Sequence, residues 1–193
     1  MTSANCQSNL WHMRVTDPQA IKALTHPMRL DLLELLATSS PATAAQCARI
    51  LGVPQANCSF HLRQLAKYGF VEDAGPGDDR RERQWRIVDP RPTIRIDSGG
   101  DQLLRRQLED VVIDRETAAI RAYTAREQDE SPPWRQALGM ATAVAALTPE
   151  EAADLRAKWL SLLEPYLRRD DDPRSDRRHV RYFFAATPLG ETR

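Results

Sequence analysis

The 193-residue sequence holds few cysteines: Cys6, Cys47 and Cys58. An odd number at wide spacing makes no disulfide framework, and a reducing compartment fits it. No apolar run approaches the roughly 18 residues a bilayer crossing needs. The opening "MTSANCQSNLWHMRV" lacks the basic-then-apolar order of an export signal. These absences lead us to expect a cytoplasmic protein with no membrane partner. Net charge is zero as well, which argues against indiscriminate polyanion binding but leaves room for a local basic face. Residues 1–98 carry 12 basic against 10 acidic side chains and residues 99–193 carry 15 against 17, so neither half is strongly charged. The motifs of common catalysts are missing too: there is no GxSxG, HExxH, CxxC or phosphate-cradling glycine loop. His12, His26, His61 and His179 are scattered without a triad partner. Neither an enzyme nor a cofactor is expected.

What is present is helical punctuation. In "TDPQAIKAL", Asp17 is placed to cap a helix whose first residue is Pro18. "MRLDLLELLA" follows, with Met28, Leu30, Leu32, Leu33, Leu35 and Leu36 pointing nearly all round. A short helix that apolar belongs at the centre of a small helical domain. "TSSPA" (38–42) reads as the loop that ends it. Thr43 and Gln46 then form a capping box for a third helix, with Cys47, Ile50 and Leu51 as its apolar face and Gly52 beyond its end. A fourth helix runs from Pro54 to Tyr68, Gly69 ends it, and Cys58, Leu62 and Leu65 share a buried stripe at i, i+4, i+7.

Two helices joined by a short glycine-containing turn make a helix-turn-helix. "FVEDA" and "ERQWRIV" are strand-like, with Trp85 and Ile87 alternating against Gln84 and Arg86. Between them "GPGDDRR" is turn chemistry with Arg80 and Arg81 near the tip. A helix-turn-helix followed by a basic-tipped hairpin is a winged helix, a far more specific pattern than any one of its motifs. The fold class expected is mainly α with small β: an arm over 1–16, a winged helix-turn-helix domain over 17–90 and a mostly helical α+β domain over 91–193. Pro90 and Pro92 mark the boundary. Beyond it, "TIRI" (93–96) is a strand expected to pair with "HVRYFFAATPL" (179–189). A long helix carries Leu104, Leu108, Val111, Ala118, Ala122 and Ala125 on a near-heptad seam broken by Arg115. "WRQALGMATAVAAL" (134–147) reads as a helix. Another begins at a Thr148–Glu151 capping box, with Leu155, Trp159, Leu162 and Tyr166 on its apolar face.

"IKALTHPMRLDLLELL", "GVPQANCSFHLRQLAKYGFVED" and "RRERQWRI" resemble the bacterial ArsR-type winged-helix repressors over residues 17 to 88. The resemblance implies a homodimer that sets two recognition helices in successive major grooves of a pseudo-palindromic, double-stranded DNA operator. Its DNA-facing positions fall on Gln55, Ala56, Asn57, Ser59, Phe60 and Arg63. The wing residues Arg80 and Arg81 would hold backbone phosphates or probe the minor groove. The chemistry suits the task, since Gln55 or Asn57 can make paired hydrogen bonds to an adenine edge and Arg63 can reach guanine or phosphate. As a bare helix face the same residues read as ordinary solvated surface; the attached wing is what favours DNA.

Three other readings compete. Arsenic-sensing members of that family carry Cys-x-Cys at the start of the first helix of the motif, where this sequence has Thr43 and Ala45. Cys58 and His61, at i, i+3, are two candidate metal ligands where zinc normally wants four. Cys6 and His12 could complete such a site across a dimer, but Cys58 is better explained as a small buried hydrophobe, so no metal is expected. Trp134, Trp159, Tyr166, Tyr182, Phe183 and Phe184 could line a small-molecule effector pocket, or simply form core. Finally, a winged helix can serve as a protein-interaction module that reads no DNA.

Overall fold

The computed structural model describes residues 13–14, 18–77, 81–88, 94–95, 101–167 and 176–190. The expected cap Asp17, most of the arm, Arg80 and the candidate ligands Cys6 and His12 lie outside the described residues. The chain divides into two compact units, Met1–Arg115 and Glu116–Arg193.

In the first unit, α1 (Pro18–Leu24), α2 (Pro27–Thr38), α3 (Ala44–Leu51) and α4 (Gln55–Lys67) pack around one core. The all-round apolar helix α2 sits in it, with Leu30, Leu32, Leu33, Leu35 and Leu36 all buried. Its cap is one the sequence did not advertise: His26 accepts from the Met28 N–H through Nδ1 at 3.2 Å, with Pro27 as the first helical residue. The capping box of α3 is formed, Gln46 N–H donating to Thr43 Oγ1 at 3.2 Å and Thr43 N–H to Gln46 Oε1 at 2.7 Å. Gly52 closes α3 in the left-handed region, φ 67°, a conformation that favours glycine over any residue with a Cβ. The apolar face of α3 differs from expectation. Ala44, Cys47 and Ala48 are buried with Leu51 beside them, whereas Ile50 is exposed. Ala44, Cys47, Ala48 and Leu51 make a complete i, i+3, i+4, i+7 stripe, and Ile50 falls outside it.

The wing is β3 (Val71–Pro76) and β4 (Arg83–Ile87), antiparallel, with a register shift between Asp73 and Gly75. Trp85 and Ile87 are buried and Arg86 is exposed, as the alternation requires. A further strand was hidden in the loop before α3: β2 (Ala42–Thr43) pairs antiparallel with β4, Ala42 opposite Trp85. The sheet order is therefore β2-β4-β3. The strand near residue 94 has another partner than the sequence suggested. Ile94–Arg95 (β5) lies parallel to Met13–Arg14 (β1), not against residues 179–189.

The long helix α5 (Gln102–Arg126) is capped by Asp101, whose Oδ1 accepts from the N–H groups of Leu103 and Leu104. Up to Arg115 it belongs to the first unit. Leu108 is fully buried there, and Leu104, Val111 and Val112 pack on the same core. Arg115 extends this attachment by pairing with Asp31 at 2.9 Å and with Glu34, both on α2. The first half of the seam thus seals the winged helix, and the first unit runs well past Pro90 and Pro92.

The second unit holds the rest of α5, a short α6 (Pro132–Ala137) and α7 (Pro149–Leu167). The 134–147 helix stops at Ala137, and residues 138–148 form no regular element. Gly139 disfavours helix, and Met140, Val144 and Leu147 are exposed, so no burial compensates for it. Residues 176–189 form no strand, because no described segment pairs with them. They are fastened by side chains instead. Arg178 makes two hydrogen bonds to Glu130, at 2.7 and 3.1 Å, and lies over the Trp134 ring. Phe184 packs on Trp159 with ring centroids 5.1 Å apart, and Arg181 stands 3.6 Å from the buried Glu116. The capping box of α7 is present, with Thr148 and Glu151 bonded in both directions. Its apolar face is present too, but Leu155, Leu162 and Tyr166 are exposed on it. Of the aromatics of this unit, Tyr166, Tyr182 and Phe183 are exposed, while Trp134 and Trp159 have the partners just given. No described helix is long and apolar enough to cross a membrane.

Candidate nucleic-acid interface

The helix α4 divides sharply by face. Cys58, Leu62 and Leu65 are each fully buried, which fixes its roll against α2 and α3. Gln55, Ala56, Asn57, Phe60 and Arg63 consequently point to solvent, with Ser59 half-buried at the margin. Pro54 caps the helix without a side-chain hydrogen bond, and the first-turn N–H groups of Gln55 and Ala56 have no intrahelical carbonyl to donate to.

A cleft between α4 and the wing gathers part of this set. It is lined by Gln55, Ser59 and Arg63 from α4, by Arg81, Glu82, Arg83 and Trp85 from the wing, and by Ala44. Four residues expected from the sequence therefore meet in one place: Gln55, Ser59, Arg63 and Arg81. Ala56, Asn57 and Phe60 lie on the exposed face outside the cleft. Arg63 makes no ion pair among the described residues, so its guanidinium is available to a ligand. Arg83 also lines the cleft and is not among the residues the sequence singles out. It stands two residues before the buried Trp85, on the same side of β4, and that alternation is the signal that could have found it. Its guanidinium lies 5.6 Å from the Trp85 ring centroid and its Nε is 2.9 Å from Asp73 Oδ2. Arg86, one step along on the other face, is held by Glu72 at 2.6 Å. Two cations of the wing, Arg83 and Arg86, are thus held by its own carboxylates.

The metal candidates are positioned for other work. Cys58 is sealed in the core, and burial pushes its thiol up from the ordinary range. Burial pushes Cys47 up to about 11, with Cys58 adding to the rise. A metal ligand must be the thiolate, which these surroundings disfavour. His61 is nearly buried, 9% exposed, and its ring meets that of His26 at 4.3 Å and the edge of Phe60 at 5.1 Å. No group of three or more His, Cys, Asp or Glu side chains suited to a metal ion comes together among the described residues.

Curated proteins give no match. Among solved structures the chain is similar to the transcriptional regulator Tm0710 of Thermotoga maritima, at 13% identity over 76% of this chain and 81% of that one, TM-score 0.30. It is similar also to the YusO protein of Bacillus subtilis, at 14% identity over 76% and 79%, TM-score 0.34. The adhesin competence repressor AdcR of Streptococcus pyogenes is similar at 14% identity over 75% and 83%, TM-score 0.33. Residues 24–74 match the family model described as a helix-turn-helix domain. That match spans α2, α3, α4 and the start of the wing, so the helix-turn-helix of this chain is α3, the turn at Gly52–Pro54 and α4.

Proposed function

We propose that this chain is a sequence-specific DNA-binding transcriptional regulator of the ArsR type, acting as a cytoplasmic homodimer and as a repressor rather than as an enzyme. The observation that carries the reading is the cleft in which Gln55, Ser59 and Arg63 of α4 face Arg81 and Arg83 of the wing. In this reading α4 enters the major groove, where Gln55, Asn57 and Arg63 read base edges and Phe60 meets a thymine methyl. The wing arginines hold the flanking phosphates, together with the first-turn N–H groups of Gln55 and Ala56. A second copy is supported by the second unit, whose apolar residues Leu155, Leu162 and Tyr166 on α7 lie uncovered. In a two-fold dimer the two α4 helices would address half-sites about 34 Å apart, one turn of duplex.

The test is selection of a bound sequence from a random duplex library, followed by a competition titration against unrelated duplex at a stated salt concentration. Recovery of a pseudo-palindrome bound at least roughly a thousandfold more tightly than competitor is the expected result. Equal binding of all duplexes, or none, would overturn the reading and leave the winged helix as a protein-interaction scaffold.

A further inference from the structure

The ring pair His26–His61 has no role in the reading above, and its surroundings are unusual. His61 lies on the inner side of α4, one residue from the outward Phe60. His26 caps α2 on the facing element. The two imidazoles are 4.3 Å apart at a tilt of 42°. Among the described residues, the buried Nδ1 of His61 has no hydrogen-bond partner, and neither does the buried Nε of Arg29, on the first turn of α2. His26 Nδ1 must be unprotonated, because it accepts from Met28 N–H. Each atom tolerates the neutral pair and opposes a charged one. A proton on His26 Nδ1 deletes the cap of α2; a proton on His61 places a buried cation against His26 and Arg29 with no acceptor.

We propose that the stacked His26–His61 pair is a proton-sensitive latch on the DNA-reading helix: neutral, it holds α4 against the start of α2, and taking up a proton separates the rings and weakens DNA binding. The proposal rests on the DNA-binding reading for its output, though not for the latch itself. From α2, Arg29 opposes a proton on either ring, and Asp31 favours one on His26. Asp31 is already engaged by Arg115 at 2.9 Å. From α4 itself come Arg63, which is exposed, and the Lys67–Tyr68 pair, whose tyrosine stands near Arg29. α1 brings Lys22, exposed, and α3 brings Arg49, also exposed. The carboxylates of β3, Glu72 and Asp73, are held by Arg86 and Arg83. Burial, then Arg29, lowers His26 from its ordinary 6.5, and burial, then His26 and Arg29, lowers His61 from the same value. The unfolded or released chain therefore takes up the proton first. The stabilising contribution is intact above about 6.5 and is lost as pH falls through the lower folded-state values.

The sign separates this latch from simple charge. A histidine gained as a cation near DNA strengthens binding to a polyanion, whereas the latch weakens it as pH falls. The experiment uses the full chain in two arms. In the first, the melting temperature is followed from pH 8 to pH 5 without DNA, with histidine ring resonances titrated by NMR. In the second, affinity for the selected duplex is measured at constant ionic strength over the same range. Variants are His26→Asn, which keeps a cap acceptor but cannot titrate, and His61→Gln. The wild-type chain should lose melting temperature and affinity below about pH 6.5, with a limiting slope of about tenfold in affinity per pH unit for one linked proton. Each variant, compared with itself at pH 8, should lose most of that slope. Affinity that is flat or rises on acidification, variants that keep the wild-type slope, or both rings titrating at or above 6.5 would each overturn the latch. Absence of DNA binding at every pH would sink the DNA reading instead, and the melting and NMR arm would then decide the latch alone.

Discussion

Asp73→Asn should tighten DNA binding, although it deletes an ion pair. Asp73 serves two partners: Oδ1 accepts from Gly75 N–H at 2.8 Å, shaping the bulge in β3, and Oδ2 holds Arg83 Nε at 2.9 Å. Asparagine keeps the first acceptor and removes the charge that holds the second. The pair is exposed on both sides, 60% and 47%, so its loss costs the free protein no more than about 1 kcal/mol. Arg83 then meets a phosphate without first leaving a carboxylate. Each phosphate neutralised adds about 0.9 to the slope of log affinity against log salt; at about 0.15 M salt this is worth roughly 0.7 log units, or about fivefold. Fluorescence anisotropy with a labelled duplex, repeated across a salt series, reads both quantities. Asp154→Asn is the control, because it makes the same change of net charge in the second unit, where Asp154 pairs with Lys158 at 2.6 Å. Equal tightening by the two variants would refute the reasoning by reducing it to net charge. Unchanged affinity and slope in Asp73→Asn would refute it by removing Arg83 from the interface.

The same geometry sets three further expectations. Leu108→Ala should destabilise the chain by about 2–5 kcal/mol in chemical denaturation, because its side chain is fully buried in the winged-helix core; a change within 0.5 kcal/mol would mean that α5 does not belong there. Thr43→Ala removes one half of the capping box of α3 and should cost about 1 kcal/mol by the same measurement, with Thr43→Ser recovering most of it. Cys47 and Cys58 should resist maleimide at pH 7.5 in the folded chain and react in denaturant, as read by peptide mass spectrometry. Burial holds Cys47 up near 11 and raises Cys58; rapid native labelling of either would contradict their placement.

The winged helix was legible because independent local signals agreed with one another. Thr43 and Gln46 start α3 where Cys47 begins its stripe, Gly52 stops it, and Cys58, Leu62 and Leu65 repeat the period on α4. Once that inner face is fixed, the outward set of Gln55, Asn57, Phe60 and Arg63 follows from geometry. What escaped depended on contacts remote in sequence. Ala42 and Thr43 are too short a strand to announce themselves and exist because Trp85 and Gln84 lie opposite. His26 meets His61 across 35 positions of chain. Periodicity carries no information on such meetings.

The second unit fails in the opposite way. Its local signals are as good, yet they do not translate into a core. The α7 capping box forms and the Leu155, Leu162, Tyr166 stripe is in register, but those side chains remain exposed. "WRQALGMATAVAAL" has helical composition and still stops at Ala137, and "HVRYFFAATPL" alternates without finding a strand to join. Hydrophobic patterning specifies what an element would bury, while burial itself needs a partner surface. In the first unit that surface is on the chain: Leu104, Leu108 and Val111 of α5 find the core beneath α2, and the same helix anchors Arg115 to Asp31 and Glu34. On the proposed reading the second unit's partner surface is its own copy in the dimer. Local pattern and burial therefore agree where the partner surface lies on the chain, as for Leu108, and part where it does not, as for Leu155.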